Sequence, residues 1–185
     1  MTHRFRTLAI AAALLLPSVA FAQMASTRSF GQGSRILSVG VLTGGDYEGF
    51  GGGASFEVGV LEFTPALSLG IGAFAGFVKG DVGFTSAFNY NLTQIPVMGI
   101  GNLHLAIASQ PKLDLYAGLS AGIIRTSVSY DGNAPGSFGL ADSNSDFGLG
   151  IQVGARYAFT ERAMGFAQIG ANDIPLLYAG LSFKF

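Results

Sequence analysis

Apolar residues alternate with small or polar residues along most of this chain, and the pattern is clearest at its end. One face of the final segment carries Leu177, Ala179, Leu181, Phe183 and Phe185, and the other carries Tyr178, Gly180, Ser182 and Lys184. A β-strand points successive side chains to opposite faces. The pattern therefore predicts a strand with one wholly apolar face.

Seven earlier segments alternate in the same way, so the sequence predicts eight strands. The seven cover about residues 34–42, 50–61, 66–78, 94–107, 113–126, 147–159 and 163–171. The seventh strand is the weakest, and its facing stays open. Connections after even-numbered strands are short, whereas the others are mostly longer, with residues 79–92 and 127–145 as long loops. Short turns at one end, long loops at the other and an even strand number are typical of membrane barrels.

The predicted fold class is thus all-β: an eight-stranded antiparallel up-and-down transmembrane β-barrel over residues 34–185. Residues 1–22 are predicted to be a cleaved signal peptide. Arg4 and Arg6 precede an apolar core, and a small-x-small cleavage site ends at Ala22. The apolar run is interrupted by Pro17 and is shorter than the roughly 20 residues that a spanning helix needs. Residues 23–33 lack periodicity and are interpreted as a short periplasmic lead.

Composition agrees with this interpretation. The chain is 49% hydrophobic and contains 28 glycines, a combination that suits a barrel whose outer surface is apolar. Its formal net charge is −1, and loss of Arg4 and Arg6 makes the remainder more acidic, so nothing indicates nucleic-acid binding. The absence of cysteine excludes a disulfide staple and a cysteine-linked lipid anchor.

The end of the chain is similar to the C-terminal insertion signal of bacterial outer-membrane barrels. Tyr178, Gly180, Phe183 and Phe185 occupy the positions of that signal. The whole predicted barrel resembles the small eight-stranded outer-membrane family typified by the OmpA transmembrane domain, OmpX and the opacity proteins. The resemblance implies location in the bacterial outer membrane, insertion by the barrel-assembly machinery, and contact with membrane lipid and lipopolysaccharide.

Polar residues on the small face of the strands are expected to fill the lumen. An eight-stranded barrel is just wide enough for its interior side chains to fill it. Four of the candidates balance in charge, and buried charges must pair, so we predict a salt-bridge network that plugs the barrel. The candidates are Glu57, Asn102, His104, Asp114, Tyr116, Gln152, Arg156 and Lys184.

Candidate chemistry is sparse. His104 is the only histidine after the predicted cleavage site. Outer-membrane lipid A deacylases use a barrel histidine with a serine two residues later, but Ala106 occupies that place and Ser109 falls in a turn. No catalytic residue, metal site or cofactor is therefore predicted. A lipid A-modifying enzyme and a narrow small-solute channel remain the alternatives.

The expected function is structural, or a surface interaction such as adhesion or binding of a host factor. The two long loops would supply the contact surface for an external ligand, with Phe84, Phe88, Tyr90, Tyr130 and Phe138. Arg125 lies at the outer end of strand five on the lipid-facing side. It is a candidate contact for lipopolysaccharide phosphates, and an arginine snorkelling to the interface is the alternative.

Overall fold

A computed structural model describes residues 29–44, 49–85, 88–131, 142–175 and 177–185. Residues 1–28, with the predicted signal peptide and most of the lead, lie outside this part. The described residues form eight strands: β1 (Arg35–Thr43), β2 (Gly49–Thr64), β3 (Leu67–Thr85), β4 (Phe88–Ile107), β5 (Gln110–Asp131), β6 (Asp142–Ala158), β7 (Ala163–Asn172) and β8 (Leu177–Lys184). In this part of the chain no helix is long and apolar enough to cross a membrane.

The strands form one closed antiparallel barrel in chain order, which confirms the predicted fold class. Closure is made by β1 and β8, which pair from Ile36 with Lys184 to Thr43 with Leu177. Within this seam the Ser38 and Ser182 hydroxyls lie 2.7 Å apart. The final strand therefore leaves no open sheet edge.

Alternation along the strands separates an apolar outside from the lumen. Leu119 on β5 is 66% exposed and Phe147 on β6 is 70% exposed, whereas Ser120 beside Leu119 is buried. We call the end that carries the short β2–β3, β4–β5 and β6–β7 turns the turn end, and the opposite end the hairpin end. Both described termini, Ser29 and Phe185, belong to the turn end.

Strand β7 has its bulky residues inside, which its sequence did not reveal. Met164 and Phe166 are buried in the lumen, and Ile169 is exposed on the outside. The other outward positions are Ala163, Gly165, Ala167 and Ala171. Because the outward side chains are mostly small, hydrophobicity along β7 alternates in the opposite sense to the other strands.

The long loop expected at 79–92 is wrong, and of the loop expected at 127–145 residues 127–131 and 142–145 are strand, whereas residues 132–141 lie outside the described part. Strands β3 and β4 pair as far as Thr85 with Phe88, and β5 and β6 pair as far as Val128 with Asp142. The outward side chains need to be apolar only where they face the lipid interior. Strand pairing can therefore continue past the point at which the alternation of apolar and polar residues ends. Of the five aromatic contact residues, Phe138 and the side chains of Phe84, Phe88, Tyr90 and Tyr130 lie outside the described part.

The lumen has two halves of different chemistry, and the hairpin-end half corrects the expectation of a polar filling throughout. That half holds an apolar cluster of Leu42, Phe74, Val78, Met98, Phe166, Ile174 and Tyr178. Ile174 lies in the β7–β8 connection, which follows the positive φ of 69° at Asn172, the last residue of β7, and in which Asp173 accepts a hydrogen bond from the Leu149 N–H at 2.9 Å. This connection thus brings Ile174 into the apolar cluster in the lumen.

Candidate functional site

The turn-end half of the lumen holds four buried ionisable side chains from four different strands, which we call the charge cluster: Glu57, His104, Asp114 and Arg156. The Arg156 guanidinium donates to a Glu57 oxygen at 2.6 Å and to an Asp114 oxygen at 3.4 Å. Strand register brings Asp114 and Arg156 together, because they are directly paired residues of β5 and β6. All four groups are at most 3% exposed.

His104 joins the two carboxylates on its other side. Its Nε2 lies 2.8 Å from a Glu57 oxygen, and its Nδ1 lies 3.0 Å from an Asp114 oxygen. An ionised carboxylate can only accept, so both ring nitrogens must donate. A ring with two N–H groups is an imidazolium, and the cluster then contains two positive and two negative charges.

Neutral polar groups extend the charge cluster towards the middle of the barrel. Asn102 donates to Glu57 at 2.9 Å and accepts from Gln152 at 2.8 Å. The Tyr116 ring lies beneath Arg156, with the guanidinium carbon 4.6 Å from the ring centroid. The Tyr116 hydroxyl donates to Gln168 at 3.2 Å. Seven of the eight predicted lumen residues thus lie together.

Lys184, the eighth predicted residue, is half-buried at the turn end. Its ammonium donates to the Ser29 carbonyl at 3.1 Å.

The residues of the predicted C-terminal insertion signal lie on both faces of β8. Tyr178 is buried in the lumen, where its hydroxyl reaches the Ser38 carbonyl at 3.2 Å, whereas Phe183 and Phe185 are exposed on the outside.

Phe30 is a buried lumen residue that the sequence pattern did not predict. It is 2% exposed and stacks on His104 with ring centroids 3.7 Å apart and an interplanar angle of 19°. The Arg156 guanidinium carbon is 5.9 Å from the same ring. Its segment has no periodicity, so the available signal was a lone aromatic residue between Ser29 and Gly31.

This arrangement is suited to structure more than to chemistry. Both nitrogens of His104 are engaged by carboxylates, and Phe30 covers the ring face. Within the described ranges no group of three His, Cys, Asp or Glu side chains is arranged to hold a metal. What the cluster does is neutralise and hydrogen-bond charges that burial would otherwise penalise.

The hairpin end carries a second candidate surface on the lipid-facing side. Arg125 is exposed there and pairs with Ile95 on β4 and Ser145 on β6. Lys79 is exposed on the same side, in the row that runs through Thr93 to Ser127, one outward-facing row beyond Arg125. The register therefore brings two cations to one part of the rim.

Comparison with known proteins identifies this architecture. The family model described as outer membrane protein beta-barrel domain matches residues 9–181. The attachment invasion locus protein Ail of Yersinia pestis has a similar structure, with a TM-score of 0.54 at 14% identity, covering 83% of this chain and 99% of Ail. OprG of Pseudomonas aeruginosa gives a TM-score of 0.56 at 14% identity, covering 87% of this chain and 99% of OprG.

Neisserial surface protein A gives a TM-score of 0.53 at 18% identity, covering 82% of this chain and 94% of that protein. At such identities these likenesses show the fold alone. No curated protein matches the sequence.

Proposed function

Because this chain belongs to the outer-membrane β-barrel domain family, we propose that it is a non-enzymatic surface-contact protein that acts through its outer hairpins. It is a protein of the bacterial outer membrane, in which short turns face the periplasm and longer connections face outward. One observation carries the proposal. The β3–β4 ladder continues to Thr85 with Phe88 and the β5–β6 ladder to Val128 with Asp142, beyond the residues whose outward alternation is apolar.

The filled lumen supports a role outside the barrel. A lipid A-modifying enzyme would need a reactive group that reaches the bilayer, but His104 points inward and both of its nitrogens are engaged. A solute channel would need a continuous path. Phe30 lies across one half and Ile174 across the other, and both are buried.

Charge at the hairpin end narrows the partner chemistry. An Ail structure contains the heparin analogue sucrose octasulfate. In this chain, residues 79–93 and 125–146 carry Asp81, Asp131, Asp142 and Asp146 against Lys79 and Arg125. Excess negative charge disfavours a polyanion. The partner that we propose is therefore a neutral or basic protein surface contacted through polar and aromatic residues.

Replacing residues 132–141 by a short Gly-Ser turn tests this role. The variant is expected to insert normally, because the described β5–β6 ladder, which ends at Val128 with Asp142, is left unchanged, and cells displaying it should lose binding to immobilised matrix or serum proteins. A matched control replaces Ala108 and Ser109 in a periplasmic turn by glycine. Binding that is equal in both variants, or strong capture by immobilised heparin, would refute the proposal.

For Arg125 we propose contact with a lipopolysaccharide phosphate. Guanidinium–phosphate pairs are strong when they are bidentate, and Lys79 adds a second positive charge to this part of the rim. Arg125→Ala should weaken lipopolysaccharide retention by the purified barrel, whereas Lys112→Ala at the opposite rim should not. Unchanged retention in both variants would leave snorkelling as the explanation.

For Tyr178, Gly180, Phe183 and Phe185 we propose recognition by the barrel-assembly machinery during insertion. The outward, exposed position of Phe185 supports this role, because its ring is available before neighbouring strands close. Deletion of Phe185 should lower the yield of inserted barrel in cells without lowering the stability of barrel refolded in detergent. An equal loss in both settings would indicate a purely structural role.

A further inference from the structure

We propose that residues 29–34 form a removable stopper that closes the periplasmic mouth and decides whether the charge cluster can be reached from that side. The stopper precedes β1, enters the lumen at Phe30 and leaves at Ser34 to begin the first strand. The proposal is independent of the surface-contact role, since it concerns the opposite end of the barrel.

Two lumen-facing glycines form the socket that receives the stopper. A β-carbon at Gly70 would lie 2.9 Å from the Phe30 ring and would also collide with a Glu57 oxygen. A β-carbon at Gly59 would collide with the Gly31 carbonyl. Gly59 and Gly70 are paired residues of β2 and β3, so the spaces left by their missing side chains lie next to each other and form one gap in the barrel wall.

Apart from the peptide bond that joins Ser34 to β1, hydrogen bonds hold the stopper against the wall. The Gly33 N–H donates to the Gly59 carbonyl at 2.8 Å, and the Gly59 N–H donates to the Ser34 carbonyl at 2.9 Å. Lys184 on β8 holds the Ser29 carbonyl. These are a few hydrogen bonds on a short segment outside the strand ladders, and such segments open locally at lower free-energy cost than the whole fold.

The Phe30 ring is what separates the charge cluster from the mouth. It stacks on His104, and Ile36 and Met164 pack with it as a small apolar layer. When the ring is docked, water entering the mouth meets this layer first. When it is released, the imidazole face of His104 is uncovered, while Ile174 still packs in the apolar cluster on the hairpin-end side.

Isotope exchange at His104 provides the test, since it is the only histidine of the chain after residue 22. The probe is hydrogen–deuterium exchange at C2 of the His104 ring in barrel refolded in detergent, read by mass spectrometry, because this reaction proceeds from the imidazolium and needs solvent at the ring. Wild-type barrel should react slowly, and Phe30→Ala should react severalfold faster. The matched control is Phe63→Ala, which removes an aromatic ring from the outside and should react like wild type.

A second variant releases the stopper without changing Phe30. Gly59→Val places side-chain atoms where the Gly31 carbonyl lies, so His104 should again become reactive in a barrel that still shifts on a heat-modifiability gel. This variant decides the matter if Phe30→Ala does not fold. Protection of His104 in a folded Gly59→Val barrel, or rapid reaction in wild type, would overturn the proposal.

Discussion

The two halves of the lumen solve the same packing problem by opposite means. At the turn end, Glu57, His104, Asp114 and Arg156 fill the space with paired charges whose hydrogen bonds link four strands. At the hairpin end, Phe166 and Phe74 meet the Tyr178 ring edge-on, with centroids 4.6 and 5.4 Å away. The first filling depends on every partner being present, and the second depends mainly on volume.

This difference shows how a narrow barrel can be filled without being uniformly polar. Dispersion forces and burial are non-directional, so an apolar half tolerates exchange among side chains of equal size. A buried ion pair is directional, and loss of one member leaves the other uncompensated. The halves should therefore respond differently to substitutions that preserve shape.

The largest expected effect is that of Glu57→Gln, which preserves shape but removes charge. The new amide nitrogen would face either the Arg156 guanidinium or the donors from Asn102 and His104. We expect the free energy of unfolding to fall by about 4 kcal/mol, as is typical of a broken buried ion pair. Urea titration in detergent measures the free energy of unfolding. A loss below about 1 kcal/mol would contradict the idea that the charged half of the lumen depends on every partner being present.

Phe166→Ala tests the apolar half by removing volume. Deleting a buried aromatic ring typically costs about 3 kcal/mol, through lost burial and the cavity left behind. The same urea titration measures this cost. Phe77→Ala is the control, because its ring is exposed to lipid, which can fill the space. Equal losses in the two variants would mean that Phe166 is not part of a packed core.

The smallest expected changes in unfolding free energy come from placing leucine at two positions of β4, one in each half of the lumen. Met98→Leu keeps volume in the apolar half and should cost under about 1.5 kcal/mol. Asn102→Leu, four residues along the same face, removes the partner of Glu57 and Gln152 and should cost about 2 kcal/mol. The difference between the two unfolding free energies is the measurement, and a reversed order would show that the halves are not distinct.

Alternation of apolar with small or polar residues was sufficient to predict the number of strands, the closed barrel and the inward or outward direction of most side chains. The reason is that each residue of a membrane-spanning strand faces either lipid or the tightly packed lumen. Alternation failed beyond this membrane-spanning part, where Asp81 pairs with Asn91 although neither is apolar. It also left β7 open, since Gly165 and Ala167 face outward without adding hydrophobicity. Pairing there is set by the neighbouring strands.

The lumen residues were predictable as a set, but their partners were not. The alternation of side-chain direction along a strand places Asp114 and Arg156 in the lumen. Which lumen residues touch one another depends on the strand register and on the level of each residue along the barrel axis. Glu57 and Arg156 are 99 positions apart in sequence and meet at 2.6 Å. The inward turn of Phe30 depends on a gap left by Gly59 and Gly70, which no local pattern at Phe30 encodes.

The walls around Phe30 belong to strands made both early and late, from Gly59 and Gly70 to His104, Arg156 and Lys184. That recess does not exist until the last strand has met the first. Phe30 can therefore dock fully only after β8 has paired with β1, so the segment before the first strand takes its final position once the last strand has joined the barrel.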